Sequence, residues 1–243
     1  MKIKYNLNLI YSMYQLLQFN KIYFITFICC FILISGCQKN ESESVTTKST
    51  TTSTTIKVRQ VKDNELTSSS SPEGTFKITN DLPFLADTSF TLEQKSDAQV
   101  FFFSDYNEDE IFRFVQIQFE SYKPESEETY QYELKDSVKI GDIMFGKSYW
   151  CFDLEKAAAE RPVSDIAAVQ TLLRSREVNT RGMFSGVRLL WLSEDKRSEM
   201  LIIYGEKTSY RNIDCSNRKT AEPLLDELNK QFLKDFSVVK FRN

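Results

Sequence analysis

Ile111-Phe112-Arg113-Phe114-Val115-Gln116-Ile117-Gln118-Phe119-Glu120-Ser121-Tyr122 is the stretch on which the fold turns. Val115, Ile117 and Phe119 fall on one side and Gln116, Gln118 and Glu120 on the other, the period of two that a strand requires. One polar side predicts an antiparallel sheet with that side open to water. Downstream, residues 124–128 read as a turn, and Tyr130, Tyr132 and Leu134 alternate with Gln131 and Glu133, so a return strand closing a hairpin is expected. Upstream, Phe76 with Ile78, Phe90 with Leu92, and the apolar run 100–103 have strand length and spacing.

The strand-like composition continues through 137–140, 143–145 and 149–154, and residues 155–161 break it. Ser164 then offers an N-cap for a helix to about Arg176, with Ile166, Val169 and Leu173 on one side. Residues 187–192 and 200–204 are apolar and joined by the charged turn 193–198, which predicts a central hairpin. Thr220 is the expected cap of a second helix, with Pro223 in its first turn and a stripe of Leu225, Leu228, Phe232 and Phe236; 237–241 is a closing strand. This order predicts an α+β domain, mainly antiparallel β-sheet with two packed α-helices, over residues 73–243.

Composition excludes several chemistries. The chain has no histidine, which removes Ser-His-Asp and Cys-His arrangements and most zinc and haem sites. An enzyme would have to work with carboxylates, Lys, Tyr or Ser; no catalytic residue, metal site or cofactor is assigned. The formal charge of −3 becomes −6 if residues 1–36, with three lysines and no acid, are removed, so nucleic acid is not an expected partner.

Four patterns resemble functional motifs. Gly141-Asp142-Ile143-Met144-Phe145-Gly146-Lys147-Ser148 matches the phosphate-loop lettering, but bulky residues fill the loop and Tyr149-Trp150-Cys151-Phe152 is strand-like, so a hairpin turn is preferred. Asp105-x-Asn107-x-Asp109 opens like a calcium loop but lacks the later glycine and glutamate, leaving a solvated acidic turn as the better account. Ser193 and Lys196 have S-x-x-K spacing, and Lys207-Thr208-Ser209 is similar to K-T-G, yet both fall around one expected hairpin. Tyr130 with Tyr132, and Tyr149 with Trp150, are candidates for a glycan-stacking or protein-binding face, against the commoner reading of strand aromatics as core.

The N-terminal segments read differently. Residues 22–34 are an apolar core preceded by Lys2, Lys4 and Lys21, and Ile34-Ser35-Gly36-Cys37 follows directly. This resembles the signal peptide and lipobox of bacterial lipoproteins. The resemblance implies cleavage after residue 36, from Met1 or from a second start at Met13, and acylation of Cys37 with chains such as palmitate. An uncleaved anchor helix and an ordinary cleaved signal are the alternatives. Gln38 stands where inner-membrane lipoproteins of many Gram-negative bacteria carry Asp, which implies the outer membrane in such a host. Two or three acyl chains, at about 0.8 kcal/mol per buried CH2, would hold the protein on the membrane.

Residues 37–72 are rich in Ser and Thr and are expected to form a disordered tether, with a short extended segment around Ile56, Val58 and Val61. Cys29 and Cys30 leave with the signal, so Cys151 and Cys215 remain in the domain, either as a disulfide in an oxidising compartment or as two buried thiols. The expected role is a lipid-anchored extracytoplasmic module of the cell envelope that binds an envelope protein or glycan. A His-free enzyme using paired carboxylates on glycan or peptidoglycan, and an inhibitor or immunity lipoprotein, are the alternatives. The enzyme reading requires two carboxylates facing each other in a cleft.

Overall fold

The structure, a computed structural model, describes residues 58–107, 110–133, 135–216 and 218–242; the expectations for residues 1–57, Cys37 included, lie outside them. Among the described residues no helix is long and apolar enough to cross a membrane. Two antiparallel sheets carry the domain. The smaller joins strands β1 (Arg59–Lys62), β2 (Glu65–Ser68), β3 (Glu73–Ile78) and β11 (Phe236–Arg242), in that order. The larger contains β4 (Phe84–Leu92), β5 (Ser96–Ser104), β6 (Arg113–Tyr122), β7 (Asp136–Ile140), β8 (Ile143–Asp153), β9 (Met183–Leu192) and β10 (Ser198–Lys207), in the order β4-β5-β6-β10-β9-β8-β7. Among the described residues four helices are added: α1 (Leu154–Glu160), α2 (Asp165–Ser175), α3 (Thr208–Arg211) and α4 (Arg218–Asp235).

The α+β fold, the β9–β10 hairpin and the Ser164 cap agree with the sequence expectations. Ser164 Oγ accepts from Ala167 N, and α2 ends at its C-cap Arg176. Other expectations are corrected. The strands β1 and β2 lie inside the stretch expected to be tether, so the folded region takes in residues 59–72 as well as those from 73 on. Their turn is Asp63-Asn64, both at positive φ, a pairing that matches the twist of a two-residue hairpin. The break at 155–161 is a helix, α1, capped by the Asp153 carboxylate accepting from Lys156 N. The helix expected to start after Thr220 starts at Arg218, which puts Pro223 beyond the first turn.

The main core lies between the sheets. Phe101, Phe103, Val115, Ile117, Phe119, Val187, Leu189, Met200, Ile202 and Tyr204 from the larger sheet meet Leu66, Phe76 and Ile78 from the smaller, with Leu225, Leu228 and Phe232 of α4. Arg113 holds this assembly at one end, 2.9 Å from Asp105 and 3.4 Å from Asp235. Asp105 also accepts from the backbone N–H groups of Phe112 and Arg113, so it organises a turn, and Asp109 of the same acidic pattern lies outside the described residues. On the opposite face of the larger sheet a second apolar cluster forms, with Val100, Phe102, Phe114 and Phe184 beneath Val169 and Leu173 of α2. Gly186 and Gly205 face each other across β9 and β10.

Cys151 on β8 and Cys215, which follows α3, form a disulfide, with Cα atoms 5.7 Å apart. The phosphate-loop lettering is taken up by the β7–β8 hairpin. Gly141 occupies the turn at φ +59, Lys147 pairs with Asp136 at 3.0 Å, and Ser148 Oγ accepts from Arg188 Nε at 3.1 Å. The S-x-x-K and K-T-S patterns sit at opposite ends of β10, about 30 Å apart at the usual strand rise. Ser193 Oγ accepts from Arg197 N and Ser198 N, which accounts for it as a turn residue.

Candidate functional site

The polar side of β6 is not open to water. Gln118 and Glu120 are 1% and 8% exposed: residues 123–133 leave the end of β6 and bring Tyr130 over Glu120, and α2 lies beside Gln116 on the same face. That segment forms no strand, which corrects the expected return strand at 130–134. It works as a strap fixed to the β9–β10 turn: Tyr130 N donates to Lys196 O (2.9 Å), and Arg197 Nη2 donates to Lys123 O (2.8 Å).

Under the strap the alternate residues of β6 form a hydrogen-bonded row. Gln116 Nε2 donates to Gln118 Oε1 and Gln118 Nε2 to Glu120 Oε2, each at 3.2 Å. Glu120 Oε1 accepts from Ser96 Oγ and Tyr130 Oη, each at 2.8 Å. The arrangement follows from the rule that a polar group removed from water must find partners.

Glu199 of β10 lies directly across the ladder from Glu120, which puts their Cβ atoms roughly 5 Å apart on one face. Glu199 is 2% exposed and hydrogen-bonds Tyr132, but its Oε2 has no partner. Burial, with the neighbouring Glu120 and Asp165 adding to it, pushes its pKa up to about 8 despite the Tyr132 bond and the Arg188 guanidinium. At neutral pH Glu199 therefore carries a proton. The same burial, with the adjacent glutamates, raises the Tyr130 and Tyr132 phenols well above the ordinary tyrosine value.

The folded-state pKa of Glu199 exceeds that of a free glutamate, so the folded form binds the extra proton. The stability this gives is complete below about 4.5 and is lost as pH rises through about 8. Urea unfolding of the wild type should lose up to a few kcal/mol over this window, and Glu199→Gln should flatten the decline. An unchanged slope in the variant would assign the pH dependence elsewhere.

Beside this pair opens a cleft of about 330 Å³, lined by Leu92, Glu93, Lys95, Ser96, Glu120, Tyr122, Glu128, Tyr130, Tyr132 and residues 163–165. Tyr122, Tyr130 and Tyr132 stand in a file with ring centroids 4.5 and 6.2 Å apart. Tyr130 is buried, whereas Tyr132 is 41% exposed. The cleft thus has an aromatic wall, a carboxylate and an acidic rim.

The four aromatic candidates are not brought together. Tyr130 and Tyr132 line this cleft. Trp150 lies in the second apolar cluster, 4.7 Å from Phe152 and 6.0 Å from Phe114. Tyr149, its neighbour on a strand, faces the other side, donates to Asp226 (3.1 Å) and borders the disulfide. Tyr122, Glu120 and Glu199 are additional residues that the sequence reading did not single out. Their signal was weak: carboxylates at ladder positions look alike whether the face is wet or covered.

Among the described residues no group of three or more Cys, Asp or Glu side chains is arranged to hold a metal ion. Comparison with protein-family models, curated proteins and solved structures finds no match for this chain.

Proposed function

We propose that the protein is a lipid-anchored binding module of the cell envelope, moored through Cys37, whose ligand seat is the tyrosine-walled cleft. The observation that carries this reading is the file of Tyr122, Tyr130 and Tyr132 beside Glu120 in a cleft of about 330 Å³. Aromatic faces supply large contact area at small entropic cost, and the fixed carboxylate orients what they hold. The anchor rests on the resemblance of Ile34-Ser35-Gly36-Cys37 to a lipobox, and it places the cleft at a membrane surface, where partners are concentrated.

The experiment is site-specific photocrosslinking in the native membrane. A photoreactive residue replacing Tyr132 should give one discrete adduct, and one replacing the exposed Val239 on β11 should give none. The adduct and metabolic labelling with a clickable fatty acid should both be lost in Cys37→Ser. Equal adduct patterns at the two positions would dissociate function from the cleft, and an unlabelled wild type would remove the anchor.

The adjoining carboxylates favour one second reading, a carboxylate-only enzyme on glycan or peptidoglycan. Against it, both Glu120 oxygens already accept hydrogen bonds and Glu199 is almost fully buried. Turnover of peptidoglycan fragments that disappears in both Glu120→Gln and Glu199→Gln would carry it over the binding reading.

A further inference from the structure

We infer that the cleft is built to seat an alkylammonium group, the protonated amine of a lysine-like side chain or of a polyamine. The inference rests on the reading of the cleft as the ligand seat and names the chemistry of what enters it.

Charge is the first argument. Glu93, Glu120, Glu128 and Asp165 line the cleft, and among the described lining residues Lys95 is the one cation. Lys95 is already engaged, 2.6 Å from Glu128 and 4.0 Å from Glu93. Glu120 and Asp165 thus face the cleft without a paired cation among the described ion pairs, a field that repels anions and concentrates cations.

The tyrosine file is the second argument. The face of an aromatic ring is the negative end of its quadrupole, so the exposed Tyr132 at the end of the file, beside carboxylates, suits a soft organic cation. The carboxylates are also not clustered as metal ligands.

Glu199 Oε2 is a buried carboxyl oxygen with no hydrogen-bond partner, on the same face as Glu120 and next to Tyr132, which walls the cleft. Such an atom is costly to leave unpaired, and once Glu199 gives up its proton an ammonium N–H would satisfy it. A neutral sugar would supply a donor but would leave the acidic rim uncompensated.

Seating a cation here displaces the proton that Glu199 holds. The groups facing Glu199 are Glu120 from β6, Tyr122 at its end, Tyr130 and Tyr132 from the strap, Asp165 from α2 and Arg188 from β9. Arg188 is the one cation in that set, so binding should tighten with rising pH and release a proton to the buffer.

Calorimetry on the intact protein tests this with three probes: cadaverine, Nα-acetyl-lysine amide and the neutral chitotriose. Either amine should bind saturably with a heat that depends on the buffer. Tyr132→Leu and Asp165→Asn, both at accessible positions, should each weaken binding by about fivefold to thirtyfold. Tighter binding of the lysine amide than of cadaverine would assign the source to a polypeptide side chain, and the reverse order to a free polyamine; both support the inference. Chitotriose binding that Tyr132→Leu abolishes, without amine binding, overturns the cation assignment and leaves the cleft as a ligand seat. Amine binding unchanged in both variants, or no binding of any probe, overturns the inference, and the last result also removes the cleft reading.

Discussion

Gly186→Ala should leave the protein without a cooperative unfolding transition. A Cβ on Gly186 would lie 1.8 Å from the carbonyl oxygen of Tyr204 and 2.9 Å from the Cα of Gly205, atoms of the neighbouring backbone that no rotamer change can move. To admit the methyl group, β9 and β10 must separate at the centre of the larger sheet, breaking the ladder that joins β6 to β8. The facing Gly205 is constrained by side chains instead, because ring atoms of Phe114 and Trp150 lie 2.6 and 2.8 Å from where its Cβ would stand. A loss above about 4 kcal/mol is expected, in the range where a small domain no longer folds. Circular dichroism during a urea titration would show it, and a wild-type transition in the variant would mean that the two strands are not so closely apposed.

Removal of the disulfide should have the next largest effect. Cys151 and Cys215 are 64 positions apart, so their bond closes a loop that includes α1, α2, the β9–β10 hairpin and α3. In the chain-entropy model such a closure is worth roughly 4 kcal/mol. The bond joins β8 to the segment that connects α3 with α4, beside Ile213, Ala221 and Leu225 of the core. Cys151→Ala with Cys215→Ala should lower the urea midpoint accordingly while native-state circular dichroism is retained. A midpoint equal to that of the oxidised wild type would show that the bridge adds nothing.

Much of this architecture was legible in the chain, and the misses share one physical cause. Alternation in β6 and the apolar runs of β9 and β10 report strands because side chains on a pleated backbone must alternate whatever covers them. What covers them is not local. Gln116, Gln118 and Glu120 read as a wet face, yet partners distant in sequence make that face dry: Ser96, Tyr130 and α2. Tyr130 and Tyr132 alternate like a strand and instead belong to a strap, since their hydroxyls bond Glu120 and Glu199 in place of a ladder. The β1–β2 hairpin was hidden by Ser and Thr composition, although Val61 and Leu66 on either side of Asp63-Asn64 carried its signal. Of the proposed cleft, the two tyrosines could be found from sequence. The carboxylate pair could not, because residues 120 and 199 meet only through strand register.

The claim on which the cleft depends is that β6 and β10 hold two carboxyl groups side by side in a dry pocket, one of them carrying a proton at neutral pH. Carbon-13 detection of the side-chain carboxyl of Glu199, assigned by its loss in Glu199→Gln, measures this directly. The account predicts titration near pH 8. A midpoint near the 4.5 of an ordinary glutamate would mean that this face of the sheet is wet, and it would contradict the account.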